Sequence, residues 1–388
     1  MVKTSNPFLR SLMRAGKKQQ RSVARAIGSL LAPPKPKAKA KARPTLKPKP
    51  AKVAATVAPL KSKPARAVVA APLKGKWLAS HYAGSGDGNP LHLRRLSYWL
   101  YLPDRPPAET MAETVANPGL PLIVMLHGCD QTATSFAEGT RMNALAEIAG
   151  CAVVYPQQAL STHPHRCWKW YDRATQQGGG DVPLIVGIIH KVSAAYPIDR
   201  SRIYICGISA GAGMANIVAL NHPELFAALG LHSGPIFGAG HSTIGALAVM
   251  QHGAGARVDG AIEEVLDKRE AGSASVFSPL PTILIQGEDD HVVRPINQVQ
   301  LARQAMLVNR LPVDSVEKLV QKPGTTRRHG YQLRDVYRGR KVMLRVARIA
   351  ELKHAWSGGD GKVAFNSGRG PEASKMMLDF FSRHRRAA

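Results

Sequence analysis

The sequence lacks the features that define several large classes of protein. It has four cysteines in 388 residues, and it contains neither a C-x-x-C pair nor a Cys/His spacing that predicts a zinc site. No apolar run approaches the roughly 18 residues that a membrane-spanning helix needs. A phosphate loop and a dinucleotide-binding fingerprint are also missing. We therefore expect no metal, no cofactor and no transmembrane segment.

Acidic residues are missing from the first 76 positions, which contain 20 lysines and arginines. The net charge of +27 therefore falls to +7 beyond position 76. Residues 1–32 form a basic, weakly amphipathic segment, and residues 33–76 a Pro/Ala/Lys-rich linker that cannot bury a core and is expected to be disordered. Such a tail suits polyanions such as nucleic acid or a granule surface, and it equally suits simple solubility. The folded domain is expected over residues 77–388.

The sequence also has no clear secretory leader. The best apolar stretch, Ala26–Ala32, is short and is interrupted by glycine and serine, which favours a cytoplasmic location, with or without attachment to granules. Cys129 and Cys167 fall in predicted loops and are free to pair, and a disulfide would instead favour an oxidising compartment. Cys151 and Cys206 lie in apolar strand-like runs, so we expect them to be buried thiols.

Apolar strand-like runs alternate with helical patterns along most of the domain, and this alternation predicts an α/β fold: a mostly parallel sheet with helices on both faces. The predicted strands are 92–102, which should form an antiparallel edge, 120–126, 151–155, 202–206, 227–231, 282–286 and 341–349. The predicted helices are 140–149, 182–195, 212–220, 297–308 and 373–383. Ligands of such sheets bind at the carboxyl ends of the strands, so catalytic residues should directly follow strands.

One stretch organises the rest of the chain. The run Arg202–Cys206 predicts a buried strand, Gly207-Ile-Ser-Ala-Gly211 follows it, and a helical pattern begins at once. A G-x-S-x-G turn between a strand and a helix is the nucleophile elbow of α/β-hydrolases. The sharp turn strains the backbone of Ser209, and only residues without bulk fit two positions to either side of it. We therefore predict that Ser209 is a nucleophile.

A serine hydroxyl needs a base to react at neutral pH. His354 follows the predicted strand 341–349, and Asp290 follows the strand 282–286, so the chain order is Ser…Asp…His, as in α/β-hydrolases. We predict a Ser209–Asp290–His354 triad in which the histidine moves the proton and the aspartate orients the imidazole ring. Glu288 and Asp289 are alternatives to Asp290, and His291 is the alternative base.

An ester-cleaving serine also needs two backbone N–H groups to bind the developing oxyanion. One should come from Ala210, directly after the nucleophile. The other should come from the loop after the strand 120–126, where Cys129 is the best candidate. His127, in the same loop, is assigned no proton transfer.

Three of the five tryptophans fall in two loops near these residues. Trp168 and Trp170 lie in Cys167-Trp-Lys-Trp-Tyr171, and Trp356 lies beside His354. Exposed beside the serine they would form an apolar platform for an acyl chain, although ordinary core packing would explain them equally well.

The motifs together resemble the poly(3-hydroxybutyrate) depolymerase family of esterases, which is related to feruloyl and acetylxylan esterases. The resemblance covers residues 95–383 and rests on several pieces: 121–131, 139–147, 155–157, Cys167–Trp170, Gly207–Gly211, His232–Gly234, Gly287–Asn297 and His354–Gly359.

The resemblance implies an α/β-hydrolase fold, the Ser209–Asp290–His354 triad and hydrolysis of 3-hydroxy acid esters. It also implies a Cys129–Cys167 disulfide and makes an extracellular location an alternative. Lys169 stands where the family usually has asparagine, Ala212-Gly213 reverses the usual order, and residues 324–340 are unusually basic. These departures leave three alternatives open for the substrate: a small ester, a short oligomer and a granule surface. The alternatives are a feruloyl or acetylxylan esterase, and a binding protein anchored by its basic tail.

Overall fold

The structure is a computed structural model that describes residues 73–85, 93–104, 119–255, 259–272 and 277–386. The segment 1–32 and nearly all of the linker 33–76 lie outside the described residues, as does most of the segment 103–119 between β2 and β3. Within the described ranges, no helix is both long and apolar enough to cross a membrane.

A ten-stranded sheet with the order β1-β2-β4-β3-β5-β6-β7-β10-β9-β8 forms the centre of the domain. The six strands from β4 to β10 in this order are parallel, and antiparallel strands extend the sheet at both ends. The strands are β1 (Lys76–Ser85), β2 (Leu93–Leu102), β3 (Leu120–Leu126), β4 (Ala152–Gln157), β5 (Ile198–Ile208), β6 (Ala228–His232), β7 (Thr282–Gly287), β8 (Glu317–Lys322), β9 (Tyr331–Arg338) and β10 (Lys341–Ile349), with a separate short pair β11 (Trp356–Ser357) and β12 (Asn366–Ser367).

Helices cover both faces of this sheet. They are α1 (Ala133–Thr140), α2 (Met142–Ala149), α3 (Arg173–Gln176), α4 (Val182–Ala195), α5 (Ala210–Asn221), α6 (Thr243–His252), α7 (Gly260–Gly272), α8 (Ile296–Val308) and α9 (Ala373–Phe381). Apolar residues of α4, α5 and α8 form one core cluster, and those of α1, α2 and α9 form the cluster on the opposite face. The central strands are buried on both sides, which is why β3 consists almost entirely of apolar residues.

The predicted α/β architecture is therefore confirmed, and the strands at 120–126 and 341–349 and the helix at 182–195 match the prediction. The predicted helix 140–149 begins later, at Met142, because Arg141 adopts a left-handed conformation with φ of 55° and separates α2 from α1, a helix that was not predicted. The predicted edge strand β2 is covered by β1, which forms the outer edge. The prediction did not include β1, β8 and β9, whose residues are mostly exposed or half-buried rather than buried.

Candidate active site

Ser209 lies at a sharp turn between β5 and α5, where its backbone adopts φ of 56° and ψ of −125°. The two flanking glycines explain how this turn fits. A Cβ atom on Gly207 would lie 2.6 Å from the Leu126 carbonyl oxygen, and one on Gly211 would lie 2.1 Å from the same atom. A side chain at either position would therefore collide with the backbone at the end of β3. The predicted strand, strained serine and helix are all present.

The reversed Ala212-Gly213 order has a packing reason in this chain. A Cβ atom on residue 213 would lie 3.0 Å from both Trp170 and Pro235. Gly213 therefore lets these two rings approach α5 closely. Ala212 is fully buried and occupies the side of the helix that faces Gly234.

Asp290 and His354 meet after neighbouring parallel strands, β7 and β10. His354 Nδ1 is 2.7 Å from Asp290 Oδ2, while the backbone N–H groups of Val292 and Val293 donate to Asp290 Oδ1 at 3.0 and 2.9 Å. The side chain of Gln286 donates to Oδ2 at 2.9 Å. The carboxylate is therefore held in one orientation toward the imidazole ring.

Electrostatics favour the ionised form of this carboxylate. Burial acts to raise the pKa of Asp290, but the adjacent His354 ring and the two backbone N–H donors outweigh burial and hold the pKa below its ordinary value. The sequence alternatives do not reach this position, because Glu288, Asp289 and His291 are exposed. Among these acids, Asp290 is thus the partner of His354.

Ser209 and His354 line one small cavity together with Cys129, Gln131 and Phe365. Ser209 is 8% exposed, so the hydroxyl lies at the base of a crevice rather than on open surface. The three residues of the predicted triad, separated by 145 positions in the numbering, are therefore brought to one end of the sheet.

The loop after β3 is held by several independent bonds. Gly128 N–H donates to Gln131 Oε1 at 2.8 Å, so this amide is occupied. Trp168 Nε1 donates to the His127 carbonyl at 3.0 Å, and the sulfur atoms of Cys129 and Cys167 are bonded as a disulfide. The pairing that the family resemblance implied is present. The Cys129 amide thus belongs to a loop fixed beside the N-terminus of α5, where Ala210 begins the helix.

Two buried histidines on either side of β5 support the site, and sequence reasoning assigned neither this role. His127 follows β3 and His232 ends β6, and these strands are the two neighbours of β5. Gln158 N–H donates to His127 Nε2 at 3.1 Å, and Ser357 N–H donates to His232 Nε2 at 3.2 Å. Each ring therefore ties a separate loop to the end of the sheet.

Both rings are neutral for a physical reason. Burial lowers the pKa of His127 to about 4 and that of His232 to about 3, because a charged ring would lose its hydration there. An Nε2 atom that accepts a backbone N–H must also be unprotonated. The only sequence signal was position, since each histidine directly ends or follows a strand.

The expectation of an exposed tryptophan platform is wrong for two of its members. Trp168 and Trp356 are completely buried. Trp168 bonds to the His127 carbonyl, and Trp356 stacks on His232 at 5.1 Å and donates to Ser374 Oγ at 3.1 Å. Both indoles therefore belong to the buried core that supports the active-site loops, and not to the surface of the crevice. Only Trp170, which is 5% exposed, borders the crevice.

The crevice above Ser209 has a volume of about 440 Å³. One wall is mostly apolar and includes Trp170, Pro235, Leu247 and Met250. Because Ser209 lines the same crevice as this wall, an acyl chain can lie along the wall while its carbonyl carbon reaches Ser209.

The sheet order, the strained serine and the Asp–His pair define an α/β-hydrolase. The model of the esterase PHB depolymerase family matches residues 96–329, and the chain belongs to this family.

Individual relatives agree with that assignment. The chain is 32% identical over 186 residues to the poly(3-hydroxyalkanoate) depolymerase C of Paucimonas lemoignei, covering 47% of this chain and 44% of that protein. It is 34% identical over 148 residues to feruloyl esterase B of Neurospora crassa, covering 38% and 45%. The chain thus spans less than half the length of these curated relatives. The acetyl xylan esterase from Aspergillus awamori shares the fold, with a TM-score of 0.58 at 19% identity, covering 78% of this chain and 99% of that one.

Proposed function

We propose that the protein is a serine esterase that hydrolyses short-chain hydroxyalkanoate esters, as polymer or oligomer, through an acyl-enzyme. The observation that carries this proposal is the strained Ser209 at the end of β5, in one cavity with a His354 that is bonded to buried Asp290. Membership of the esterase family supports the same chemistry.

The mechanism assigns one task to each side chain. His354 accepts the Ser209 proton as the hydroxyl attacks the ester carbonyl, and it later returns the proton to the leaving alcohol. Asp290, ionised by its surroundings, keeps the Nδ1 proton of His354 in place and stabilises the imidazolium. Water then attacks the acyl-enzyme with His354 as base, which releases the acid and restores the serine.

The oxyanion is assigned to the amides of Ala210 and Cys129. The first N–H groups of a helix have no partner within the helix, so the amide at the start of α5 is available to a ligand. Gly128 is excluded because Gln131 already accepts from its N–H. Preorganised donors of this kind stabilise the tetrahedral intermediate without reorganisation during the reaction.

The substrate class is inferred from the family and from the crevice. The name of the Paucimonas relative specifies a poly(3-hydroxyalkanoate) substrate, and the apolar wall beside Ser209 fits a short aliphatic acyl group. A feruloyl or acetylxylan esterase is the alternative, since other relatives carry those names.

The test is a panel of p-nitrophenyl esters, hydroxybutyrate oligomers, polymer films, methyl ferulate and acetylated xylan. Ser209→Ala should abolish hydrolysis of p-nitrophenyl butyrate, and the control Ser382→Ala, an exposed residue after α9, should retain it. Full activity in Ser209→Ala would refute the proposal, and a preference for ferulate or acetylated xylan would select the alternative.

A basic surface supports a second role, in which the protein docks on polyanions or granules. Residues 317–353 contain eleven lysines and arginines and three acidic residues, a net charge of +8, whereas all residues beyond position 76 together carry +7. Deleting residues 1–76 should weaken salt-sensitive binding to granules or DNA, with the folded segment supplying what remains. Binding unchanged by the deletion would exclude the tail as the anchor.

A further inference from the structure

The crevice also has a polar and basic wall. Thr162, His163, His165 and Lys169 line it. No aspartate or glutamate is among the described residues that border the crevice. An apolar acyl chain forms no hydrogen bond or ion pair with these side chains. We therefore expect a polar group of the substrate to contact this wall.

His163 presents an N–H group whose position is set by the backbone. The N–H groups of His165 and Cys167 approach its Nδ1 atom at 3.2 and 3.4 Å. Because both are donors, Nδ1 must accept, and the ring proton lies on Nε2. Burial, and then the neighbouring His165 and Lys169, lower the pKa of His163 and keep the ring neutral. The ring is therefore a hydrogen-bond donor with a defined tautomer.

Lys169 adds a positive charge that its surroundings leave uncompensated. Its side chain is exposed at the crevice, and the described part of the chain supplies no ion pair to it. The nearby acids have other partners: Asp130 binds His165 Nδ1 at 2.9 Å, and Asp172 accepts from Thr175 N and Oγ1 at 3.0 Å. Asp130 lies beside this wall but is engaged by His165, and no described carboxylate lines the crevice itself.

We propose that Lys169 and His163 bind the free carboxylate of the substrate, and that the preferred substrate is a short, linear hydroxyalkanoate oligomer with a free acid end. This inference rests on the function proposed above and narrows its substrate. Water is consumed and one ester C–O bond is broken: the hydroxyl of water goes to the acyl carbon, and its proton goes to the released alkoxide. The carboxylate itself does not react, so its recognition changes binding rather than the chemical steps.

The test compares 3-hydroxybutyrate dimer with its methyl ester, which has the same scissile bond and no charge. The wild type should have the higher kcat/KM on the free acid. Because the Lys169 ion pair is partly screened by solvent, Lys169→Gln should raise KM for the free acid by roughly fivefold and leave the methyl ester unchanged. Lys169→Glu should weaken free-acid binding further, since it places like charges together. Lys375→Gln, at an exposed lysine on α9, is the matched control and should change neither substrate.

Added salt should reduce the wild-type preference for the free acid, because screening weakens an exposed charge pair. Equal effects of the Lys169 variants on the acid and on its methyl ester would overturn this inference, as would no effect on either. The proposed function has a separate test: it fails if Ser209→Ala keeps activity, whereas this inference alone fails if Ser209→Ala is inactive and the Lys169 variants do not discriminate.

Discussion

Two loops flank the nucleophile, and they are held in different ways. The oxyanion-side loop, residues 127–131, is joined covalently to the segment around Trp168 by the disulfide of Cys129. The histidine loop, residues 353–359, is held by hydrogen bonds and has no covalent link of this kind. Asp290 binds the Nδ1 atom of His354, His232 accepts from the Ser357 N–H, and Ser357 Oγ donates to the Pro371 carbonyl. In both cases a buried neutral histidine also ties a loop to the sheet.

The difference matches what each loop has to do. The oxyanion-side loop supplies a fixed backbone donor, so a covalent tie costs it nothing in function. The histidine loop carries a ring that receives and returns a proton, and hydrogen bonds hold that ring while leaving its charge free to change. Reductant should therefore affect the first loop, while acid should affect both through their histidines.

Removing the acid of the histidine loop should have the largest effect. Asp290→Asn keeps the shape but loses the charge that orients and stabilises His354, so kcat should fall by roughly 10⁴. Ester hydrolysis under saturating substrate measures this change. Asp289→Asn, at the adjacent exposed carboxylate, is the control and should stay within about twofold of the wild type. A comparable loss in both variants would mean that Asp290 has no special role.

Opening the disulfide should destabilise the oxyanion-side loop. The bond closes a segment with a sequence separation of 38 residues, and a bridge of this span contributes about 2 to 4 kcal/mol. The Cys129→Ser/Cys167→Ser double variant should lose this much unfolding free energy in urea titrations, and its kcat should fall as the Cys129 amide is displaced. Dithiothreitol should weaken the wild type and leave the double variant unchanged. A wild type indifferent to reductant would contradict the assigned difference between the loops.

Mild acid should have the smallest effect and should act on both loops. His127 and His232 have lowered pKa values of about 4 and about 3 in the fold, against about 6.5 in an unfolded chain. The unfolded state therefore binds more protons as the pH falls below 6.5, so stability declines, by about 1 kcal/mol per histidine between pH 6.5 and 5.5. Urea unfolding at several pH values measures the slope.

One variant tests whether His232 contributes to this dependence of the unfolding free energy on pH. His232→Asn removes one of the two groups and should reduce the slope by about 1 kcal/mol per pH unit, whatever its effect on stability at pH 7. Stability that is flat from pH 7 to 5, or a slope unchanged in His232→Asn, would show that the rings are not held neutral.

Much of the fold was predictable because it depends on local patterns. Apolar runs such as Leu120–Leu126 specify buried parallel strands, and the elbow is encoded within five residues around Ser209. The positions of Asp290 and His354 followed from a rule that places ligands at strand ends, whereas Glu288 and Asp289 stayed open as alternatives until the structure showed that they are exposed.

What was missed depends on contacts between distant parts of the chain. Trp168 and Trp356 have the same local appearance whether they face solvent or the core, and only the surrounding loops decide that they are buried. His232 gains its role from Ser357, which is 125 positions away. β8 is exposed along almost its whole length, and β9 buries only Asp335 and Val336, so this hairpin lacks the apolar alternation that would have predicted it.

The most direct test of the mechanism is covalent labelling of the serine. The wild-type protein is incubated with a fluorophosphonate, and the modified residue is located by peptide mass spectrometry. A single adduct on Ser209, formed at a rate that drops sharply in Asp290→Asn, is the predicted result. Hydrolysis of esters by a protein whose Ser209 stays unlabelled, or whose adduct lies on another residue, would contradict it.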